Sequence, residues 1–280
     1  MAYIFGIIIF LFGSALGSFI CVIADRYNTG LSFLKGRSFC FSCNTKLQTK
    51  DLFPLFSYLF LKGRCRYCGI KIPREALFVE IIMGIVSILV ALKIGILGNN
   101  FQFSIFNFQI IFNFLILSFI FAVILLISIY DLRHFIIPDS FLVTFFVLSF
   151  LYLSIFPSFN FSFFFSSLLS VLLLPLPFLA LFLISRGTWF GFGDVKYIAV
   201  IGFFLGFAKG LSAVILAFWI GAIFSLLALS LKYMNTHINL PYFNNNLTIK
   251  SEISFGPFLS LGIIISFLFN ADLFQIHTFF

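Results

Sequence analysis

Charged residues are scarce in this chain of 280 residues: Asp, Glu, Lys and Arg make up 9% of it, and nine residues in all are acidic. A soluble domain carries about a quarter charged residues, so this chain lacks the polar surface that water requires on all sides. Hydrophobic residues make up 62%, and the mean hydropathy is +1.17. At about 20 apolar residues per membrane-spanning helix, the length allows up to about eight spans. The composition therefore predicts an all-α polytopic membrane protein with about eight transmembrane helices.

Apolar runs divide the chain into the expected spans. The first run has no basic residue ahead of it and is longer than the apolar part of a signal peptide, so we expect an uncleaved anchor with its N-terminus outside. Alternating spans then place four polar segments in the cytoplasm, at 24–76, 131–139, 185–194 and 232–254. We expect the spans near 3–23, 77–97, 110–130, 140–156, 162–184, 195–208, 211–231 and 255–270.

The net charge of +8 is concentrated in one segment, because ten of the 17 Lys and Arg residues fall between Arg26 and Arg74. An excess of Lys and Arg in a loop between spans orients that loop to the cytoplasm. The segment has no aromatic-interleaved or Gly-rich pattern of the RNA-binding kind. Membrane orientation therefore accounts for the charge, and we expect the lipid bilayer but no nucleic acid as a partner.

The same basic segment holds four of the five cysteines, as two CxxC pairs: Cys40, Cys43, Cys65 and Cys68. Two such pairs supply the four thiolates of a tetrahedral zinc site, and a domain of about 50 residues needs such a staple. The alternative is a pair of disulfides, which form in oxidising compartments, whereas the charge places this loop in the reducing cytosol. A structural zinc-ribbon-like site is therefore predicted. A catalytic zinc is disfavoured, because four thiolates leave no open position for water.

Two of the few acidic residues lie where an apolar run meets the cytoplasm. Asp131 follows Tyr130 at the end of the third run, and Asp194 closes Gly191-Phe-Gly193-Asp194 at the start of the sixth. Acidic residues at such positions are functional candidates, and two carboxyls brought together share a proton, as in aspartic proteases. The flanking glycines would let a substrate backbone approach Asp194 closely.

Each acid also has a purely structural interpretation. Asp139, directly after Pro138, is typical of a helix N-cap, and we favour that role for it. Asp131 on its own is compatible with pairing to Arg133 or His134, and Asp194 with a helix cap near Lys196. The combination of Asp131 and Asp194 on separate spans is what favours catalysis.

Together these motifs resemble, in order and over nearly the whole chain, the bacterial prepilin leader peptidases, membrane aspartic proteases that also N-methylate their product. One departure is Cys40-Phe-Ser-Cys43, which lacks the proline of the family's first CxxC pair. The residues that carry the resemblance are Gly13-Ser-Ala-Leu-Gly17, the two CxxC pairs, Asp51-Leu-Phe-Pro54, Lys62-Gly-Arg64-Cys65, Pro73-Arg74-Glu75, Glu80, Asp131 to Asp139, Gly191 to Lys196 and Phe255-Gly256-Pro257-Phe258.

The resemblance implies that Asp131 and Asp194 are the catalytic aspartates and that the four cysteines bind zinc. It implies a multi-pass protein of the bacterial inner membrane, with its active site and cysteine domain at the cytoplasmic face. The substrates would be type IV prepilins or pseudopilins, cleaved after Gly and then methylated with S-adenosylmethionine. The implied domains are a first anchor (1–23), the CxxC domain (24–76), a second span with an outer loop (77–109) and a peptidase domain (110–280).

Other functions stay open at this stage. A peptidase without methyltransferase activity has the same motifs, and Arg74, Glu75 and Glu80 are candidates for the methyl-donor site with interfacial anchoring or helix capping as their alternative. A transporter would use Asp131 and Asp194 to bind cations or relay protons, but would place them near mid-span. A membrane scaffold with a zinc ribbon leaves the paired acids unexplained. The sequence does not indicate an oligomeric state.

Overall fold

The computed structural model describes residues 2–33, 37–40, 42–97, 108–155, 161–234 and 253–273. Within these ranges the chain is helical, with two isolated β-bridges and no longer strand, so the predicted all-α class is confirmed. The helices are α1 (Ala2–Arg26), α2 (Phe56–Phe60), α3 (Arg74–Lys93), α4 (Phe108–His134), α5 (Asp139–Ile155), α6 (Phe161–Leu173), α7 (Leu176–Ser185), α8 (Phe192–Met234) and α9 (Gly256–Phe269). They form two compact units, Met1–Leu126 and Ile127–Phe280.

Five helical stretches in the described part of the chain are long and apolar enough to cross a membrane. They are Tyr3–Arg26, Arg74–Lys93, Phe108–His134, Phe164–Ser185 and Phe192–Ser230. Two further apolar helices, α5 and α9, are shorter than 18 residues. Because lipid supplies no hydrogen-bond partners, the backbone satisfies its own polar groups in helices throughout these segments. The protein is therefore a multi-pass membrane protein, as predicted.

The helix α8 is in fact two antiparallel arms joined at Gly206. Its 43 residues would form a straight rod of about 65 Å, twice the thickness of a bilayer core. Gly206 instead has φ 76° and ψ 176°, outside the helical region. The chain folds back there, since a Cβ placed on Gly210 would lie 3.4 Å from the Cα of Gly202. The arms 192–205 and 207–234 confirm the two predicted spans near 195–208 and 211–231.

The span predicted at 162–184 corresponds to the apolar stretch Phe164–Ser185, which the structure divides into two helices, α6 and α7. The break falls at Leu174 and Pro175. Proline has no N–H to donate and its ring clashes with the preceding helical turn, so the helix ends before it and a new one begins after it. Close packing holds α6 in place, since a Cβ on Gly202 would lie 2.8 Å from the carbonyl oxygen of Ser170.

In the first unit, α1 and α3 pack with their backbones in near contact. A Cβ on Gly17 would lie 2.9 Å from the carbonyl oxygen of Val79, and one on Gly13 would lie 2.7 Å from that of Met83. Glycines spaced four residues apart permit this approach between membrane helices. The Gly13-to-Gly17 motif therefore forms a helix-packing seam that fixes the start of α3 beside the end of α1.

Candidate active site and metal centre

Asp131 lies in the last turn of α4, and its side chain is held by residues from far along the chain. The residue is 5% exposed. Its Oδ2 accepts a hydrogen bond from the hydroxyl of Ser254 and another from the N–H of Gly256, the latter at 2.9 Å. Two donors on one oxygen fix the plane of the carboxyl group. The hydrogen bonds that the structure shows on this carboxyl therefore come from Ser254 and Gly256, and pairing of Asp131 with Arg133 or His134 stays a prediction.

Gly256 supplies more than a hydrogen-bond donor at this place. A Cβ built on it would lie 2.5 Å from Oδ2 of Asp131 and 3.1 Å from its Cγ. No side chain fits there unless the carboxyl moves. The sequence marked Gly256 only as part of a family motif, and it gave no indication that Ser254 or Gly256 contacts Asp131.

Asp194 is the third residue of α8, in the same unit as Asp131. It accepts a hydrogen bond from the backbone of Gly191, and its charge interacts with that of Asp131. The buried hydroxyl of Tyr197 is close enough to both carboxyl groups to interact with them electrostatically. It also shares a hydrogen bond of 2.8 Å with Ser260. The structure thus brings together the two aspartates singled out from the sequence. This arrangement is suited to chemistry in which two carboxyls divide one proton.

Atoms of the protein itself occupy the space next to the two glycines beside Asp194. A Cβ on Gly191 would lie 3.1 Å from Oδ2 of Asp194, and one on Gly193 would lie 3.3 Å from the Cβ of Ile137. Both distances are shorter than ordinary side-chain contacts, so a larger residue at either position would require its neighbour to shift. Approach of a substrate backbone at these glycines stays a prediction.

Asp139 is separate from this pair. It is the first residue of α5, next to the predicted start of the fourth span at 140, and its exposed carboxylate forms an ion pair with Lys196. Its role as a helix N-cap stays a prediction. The sequence places Lys196 two residues after Asp194. The ion pair with Asp139 gives Lys196 a surface role instead and joins the start of α5 to the start of α8.

The four predicted metal ligands converge in the first unit. The Sγ atoms of the four cysteines all lie within 4.8 Å of one another, and all four are free thiols. Those of Cys40 and Cys68 are 3.8 Å apart, the separation of two ligands on a tetrahedral zinc with Zn–S bonds of about 2.3 Å. The cluster is a candidate metal site, and its geometry favours a shared cation over disulfides.

Each CxxC pair is folded in the same way. The N–H of Asn44 donates to the carbonyl of Cys40 at 2.8 Å, and the N–H of Gly69 donates to that of Cys65 at 2.9 Å. Asn44 and Gly69 both have positive φ, which glycine and asparagine tolerate best. An isolated β-bridge flanks each pair. Two equivalent knuckles therefore present their sulfurs to one point.

The acidity of the thiols fits a bound cation. Hydrogen bonds from Thr45, first from its side chain, lower the pKa of Cys43 to about 6. Despite a backbone hydrogen bond from Ile70, partial loss of hydration and the neighbouring sulfurs raise the pKa of Cys68 to about 12. All four groups become thiolates together only when a positive ion offsets their mutual repulsion, as a divalent metal does.

An acidic residue that sequence reasoning did not assign to this centre braces the second knuckle. The Asp51 side chain, 3% exposed, accepts hydrogen bonds from Arg66 at 2.7 Å and Tyr67 at 3.0 Å, the two residues between Cys65 and Cys68. Burial alone would raise the pKa of Asp51, but these bonds and one from the backbone of Gln48 lower it below its usual value. The sequence feature that could have drawn attention to Asp51 is that it is the one acidic residue among the ten Lys and Arg residues between Arg26 and Arg74.

The candidates for the methyl-donor site lie at the start of α3. Arg74 is its first residue, and Glu75 lies in its first turn. Glu80 is buried, and its carboxylate accepts a hydrogen bond of 2.8 Å from the N–H of Leu55 and another from the side chain of Ser18. Glu80 therefore ties the loop between the CxxC pairs to the α1–α3 packing seam.

Comparison with known proteins agrees with this arrangement. Residues 11–94 match the family model described as bacterial peptidase A24 N-terminal domain, and residues 118–226 match the type IV leader peptidase family. The prepilin leader peptidase/N-methyltransferase of Bacillus subtilis (strain 168) is 26% identical over 265 residues, which cover 94% of each chain.

Two relatives with the same name show partial matches. The protein of Pectobacterium carotovorum subsp. carotovorum is 25% identical over 83% of this chain and 74% of its own. The protein of Myxococcus xanthus (strain DK1622) is 34% identical over 29% of this chain and 24% of its own. No solved structure matches the chain. The order of the matched segments, the paired aspartates and the four-cysteine cluster together show that the chain belongs to the type IV leader peptidase family.

Proposed function

We propose that this protein is a membrane aspartic endopeptidase that removes the leader peptide of type IV prepilins or pseudopilins after Gly and then N-methylates the new N-terminus. The observation that carries the hydrolytic step is the meeting of Asp131 and Asp194 within one unit, each near the end of a membrane helix. The names of the relatives support both activities and the prepilin substrate.

The proposed hydrolysis needs only these two carboxyls and a water molecule. One carboxylate takes a proton from the water, whose oxygen attacks the carbonyl carbon of the scissile Gly. The other carboxyl, protonated at the start, donates to the developing oxyanion. Collapse of the intermediate breaks the C–N bond, and the departing nitrogen takes up a proton from the site. Ser254 and Gly256 hold Asp131 in one orientation, which lowers the reorganisation that the reaction requires.

Zinc in the four-cysteine centre is proposed as structural. With four thiolates bound it has no open coordination position, so it folds the loop and does not activate water. S-adenosylmethionine, when bound, would supply the methyl group for the amine that cleavage releases.

The proposed orientation places the cysteine centre and both aspartates at the cytoplasmic face of the inner membrane. The Lys and Arg excess of residues 24–76 supports it. The proposed division into a first anchor (1–23), a metal-binding domain (24–76), a second span with its loop (77–109) and a peptidase domain (110–280) is retained. It accords with the presence of the cysteines in one structural unit and of the aspartates in the other.

The test is co-expression with a prepilin and comparison of three single variants. Asp131→Asn and Asp194→Asn are each expected to abolish leader removal while the protein stays in the membrane, because one carboxyl cannot supply both the acid and the base. Asp139→Asn is the matched control, since Asp139 forms a surface ion pair, and it should process prepilin normally. Leader removal by either catalytic variant would refute the role given to that residue.

Mass spectrometry of the processed pilin tests the second activity in the same samples. A mature N-terminus that carries one added methyl group supports the bifunctional enzyme. An unmethylated product from active enzyme would identify a peptidase without methyltransferase activity.

A further inference from the structure

An exposed apolar segment connects the two halves of the metal centre. The segment, residues 52–60 and here called the strap, contains α2 and the turn before it. Phe53, Leu59 and Phe60 are 56%, 66% and 82% exposed, and Leu52 and Phe56 are exposed as well. Five large apolar side chains within nine residues form the kind of contiguous patch that marks a contact surface.

The depth of the strap follows from its hydrogen bond to α3. Leu55 donates its N–H to Glu80, which lies six residues, or about 9 Å along the axis, inside a helix that begins at Arg74. Side chains lean towards the N-terminus of a helix, which brings the bonded atom part of the way back. Measured along the α3 axis, the strap backbone therefore lies several ångströms from Arg74 towards the C-terminal end of the helix. Helices that lie in a membrane interface place their apolar faces at a similar depth, about 5–10 Å into the boundary between headgroups and acyl chains.

The conformation at Leu55 shows that this position is imposed on the chain. Leu55 has φ 62°, which a residue with a branched side chain rarely adopts. Such a conformation persists only where the surroundings hold it, and the buried carboxylate of Glu80 supplies the partner. The strap is thus fastened to the α1–α3 seam.

The exposed charged side chains that flank the strap between residues 50 and 74 are all basic. Its flanks carry exposed basic side chains at Lys50, Lys62, Arg64, Lys71 and Arg74. The acid in this stretch, Asp51, turns its buried carboxylate to the second knuckle and not outward. A basic rim around an apolar patch is complementary to anionic phospholipid headgroups over acyl chains.

We propose that the strap is an interfacial anchor that inserts Phe53, Leu59 and Phe60 into the membrane in which α1 and α3 are embedded, with its basic rim on anionic headgroups. The metal centre is thereby held flat against the membrane surface at both ends of the strap. A lipid surface is favoured over a protein partner because Glu80 fixes the strap at the depth of the interface. The proposal does not depend on the catalytic roles of the aspartates.

The test is tryptophan fluorescence of the full chain in vesicles of phosphatidylcholine and phosphatidylglycerol. Trp189 and Trp219, the two native tryptophans, are first replaced by Phe. Phe60→Trp is then compared with Thr49→Trp, whose side chain is exposed in the polar turn just before the strap and is not part of the basic rim. Lipids brominated near the headgroup end of the acyl chain are expected to quench the emission at position 60 about twofold more than that at position 49. Acrylamide in the water should show the reverse order.

The control at position 49 separates an anchored strap from the general preference of tryptophan for interfaces. Equal quenching by lipid at the two positions would overturn the proposal, as would quenching of position 60 by acrylamide alone. A change at position 60 that requires added prepilin, with no lipid quenching before it, would identify the strap as a protein-docking surface and would also overturn it. Stronger lipid quenching with phosphatidylglycerol than with phosphatidylcholine alone is the expected result for the basic rim.

Discussion

Replacement of Gly256 by alanine is expected to inactivate the enzyme without removing any catalytic group. The added methyl group would lie 2.5 Å from Oδ2 of Asp131, whereas ordinary van der Waals contact begins at 3.4 Å. The oxygen must therefore move by about 0.9 Å, or the start of α9 must do so. Asp131 has a short side chain whose Oδ2 is already held by Ser254, so it cannot move while it keeps both hydrogen bonds.

The size of the effect follows from the precision that catalysis requires. A displacement of about 1 Å at a reacting group can reduce the rate by about 100-fold, which corresponds to roughly 2.7 kcal/mol in the activation barrier. The substitution introduces a better helix former and removes no apolar contact, so the fold should be retained. We therefore expect kcat for leader cleavage to fall by about two orders of magnitude at unchanged abundance in the membrane.

The assay is the rate of leader removal from a purified prepilin by enzyme in detergent or vesicles, with Gly6→Ala as the matched control. A Cβ on Gly6 would have no atom within 4 Å, so the same substitution there should leave kcat unchanged. Thermal unfolding of both variants checks the fold. Wild-type kcat in a folded Gly256→Ala variant would refute the argument that Asp131 must keep its present position.

Three further predictions concern the groups that hold the two centres. Ser254→Ala should lower kcat about tenfold and change the pH profile of kcat, because the carboxyl group of Asp131 loses the hydrogen bond from Ser254. Ser254→Thr keeps the hydroxyl and should restore both the rate and the pH profile. An unaltered pH profile in Ser254→Ala would contradict this role. Asp51→Asn should speed zinc release to a chelator roughly fivefold, a value reduced for the partial exposure of Arg66, whereas Lys50→Ala should release zinc at the wild-type rate. Cys40→Ser should lower the zinc content of the purified protein, and an undiminished content measured by atomic absorption would exclude a four-thiolate site.

The metal centre could be predicted because its geometry is local. Each CxxC pair places two sulfurs on one turn, so the spacing alone indicates ligands, and only the meeting of two turns depends on the rest of the fold. The brace at Asp51 was not predicted, since its partners Arg66 and Tyr67 are ordinary residues of a basic loop. An ion pair between residues 15 positions apart leaves no periodic pattern in a sequence.

The contacts of Asp131 could not be predicted from the sequence, for a different reason. Ser254 and Gly256 follow it by 123 and 125 residues, and several helices intervene. Hydropathy shows where such helices lie but not which of them are neighbours. The division of the 162–184 span at Pro175 was missed for another reason: the apolar run there is unbroken, whereas the break depends on the backbone of proline.

The short helices of the second unit have a consequence for the bilayer itself. The helices α5 and α9 have 17 and 14 residues, which correspond to about 26 and 21 Å. The arm 192–205, which carries Asp194 and ends at the reversal of Gly206, is as short as α9. A hydrocarbon core is about 30 Å thick, so lipids beside these helices must compress to avoid hydrophobic mismatch. The unit would thus lie in a local thinning of the membrane.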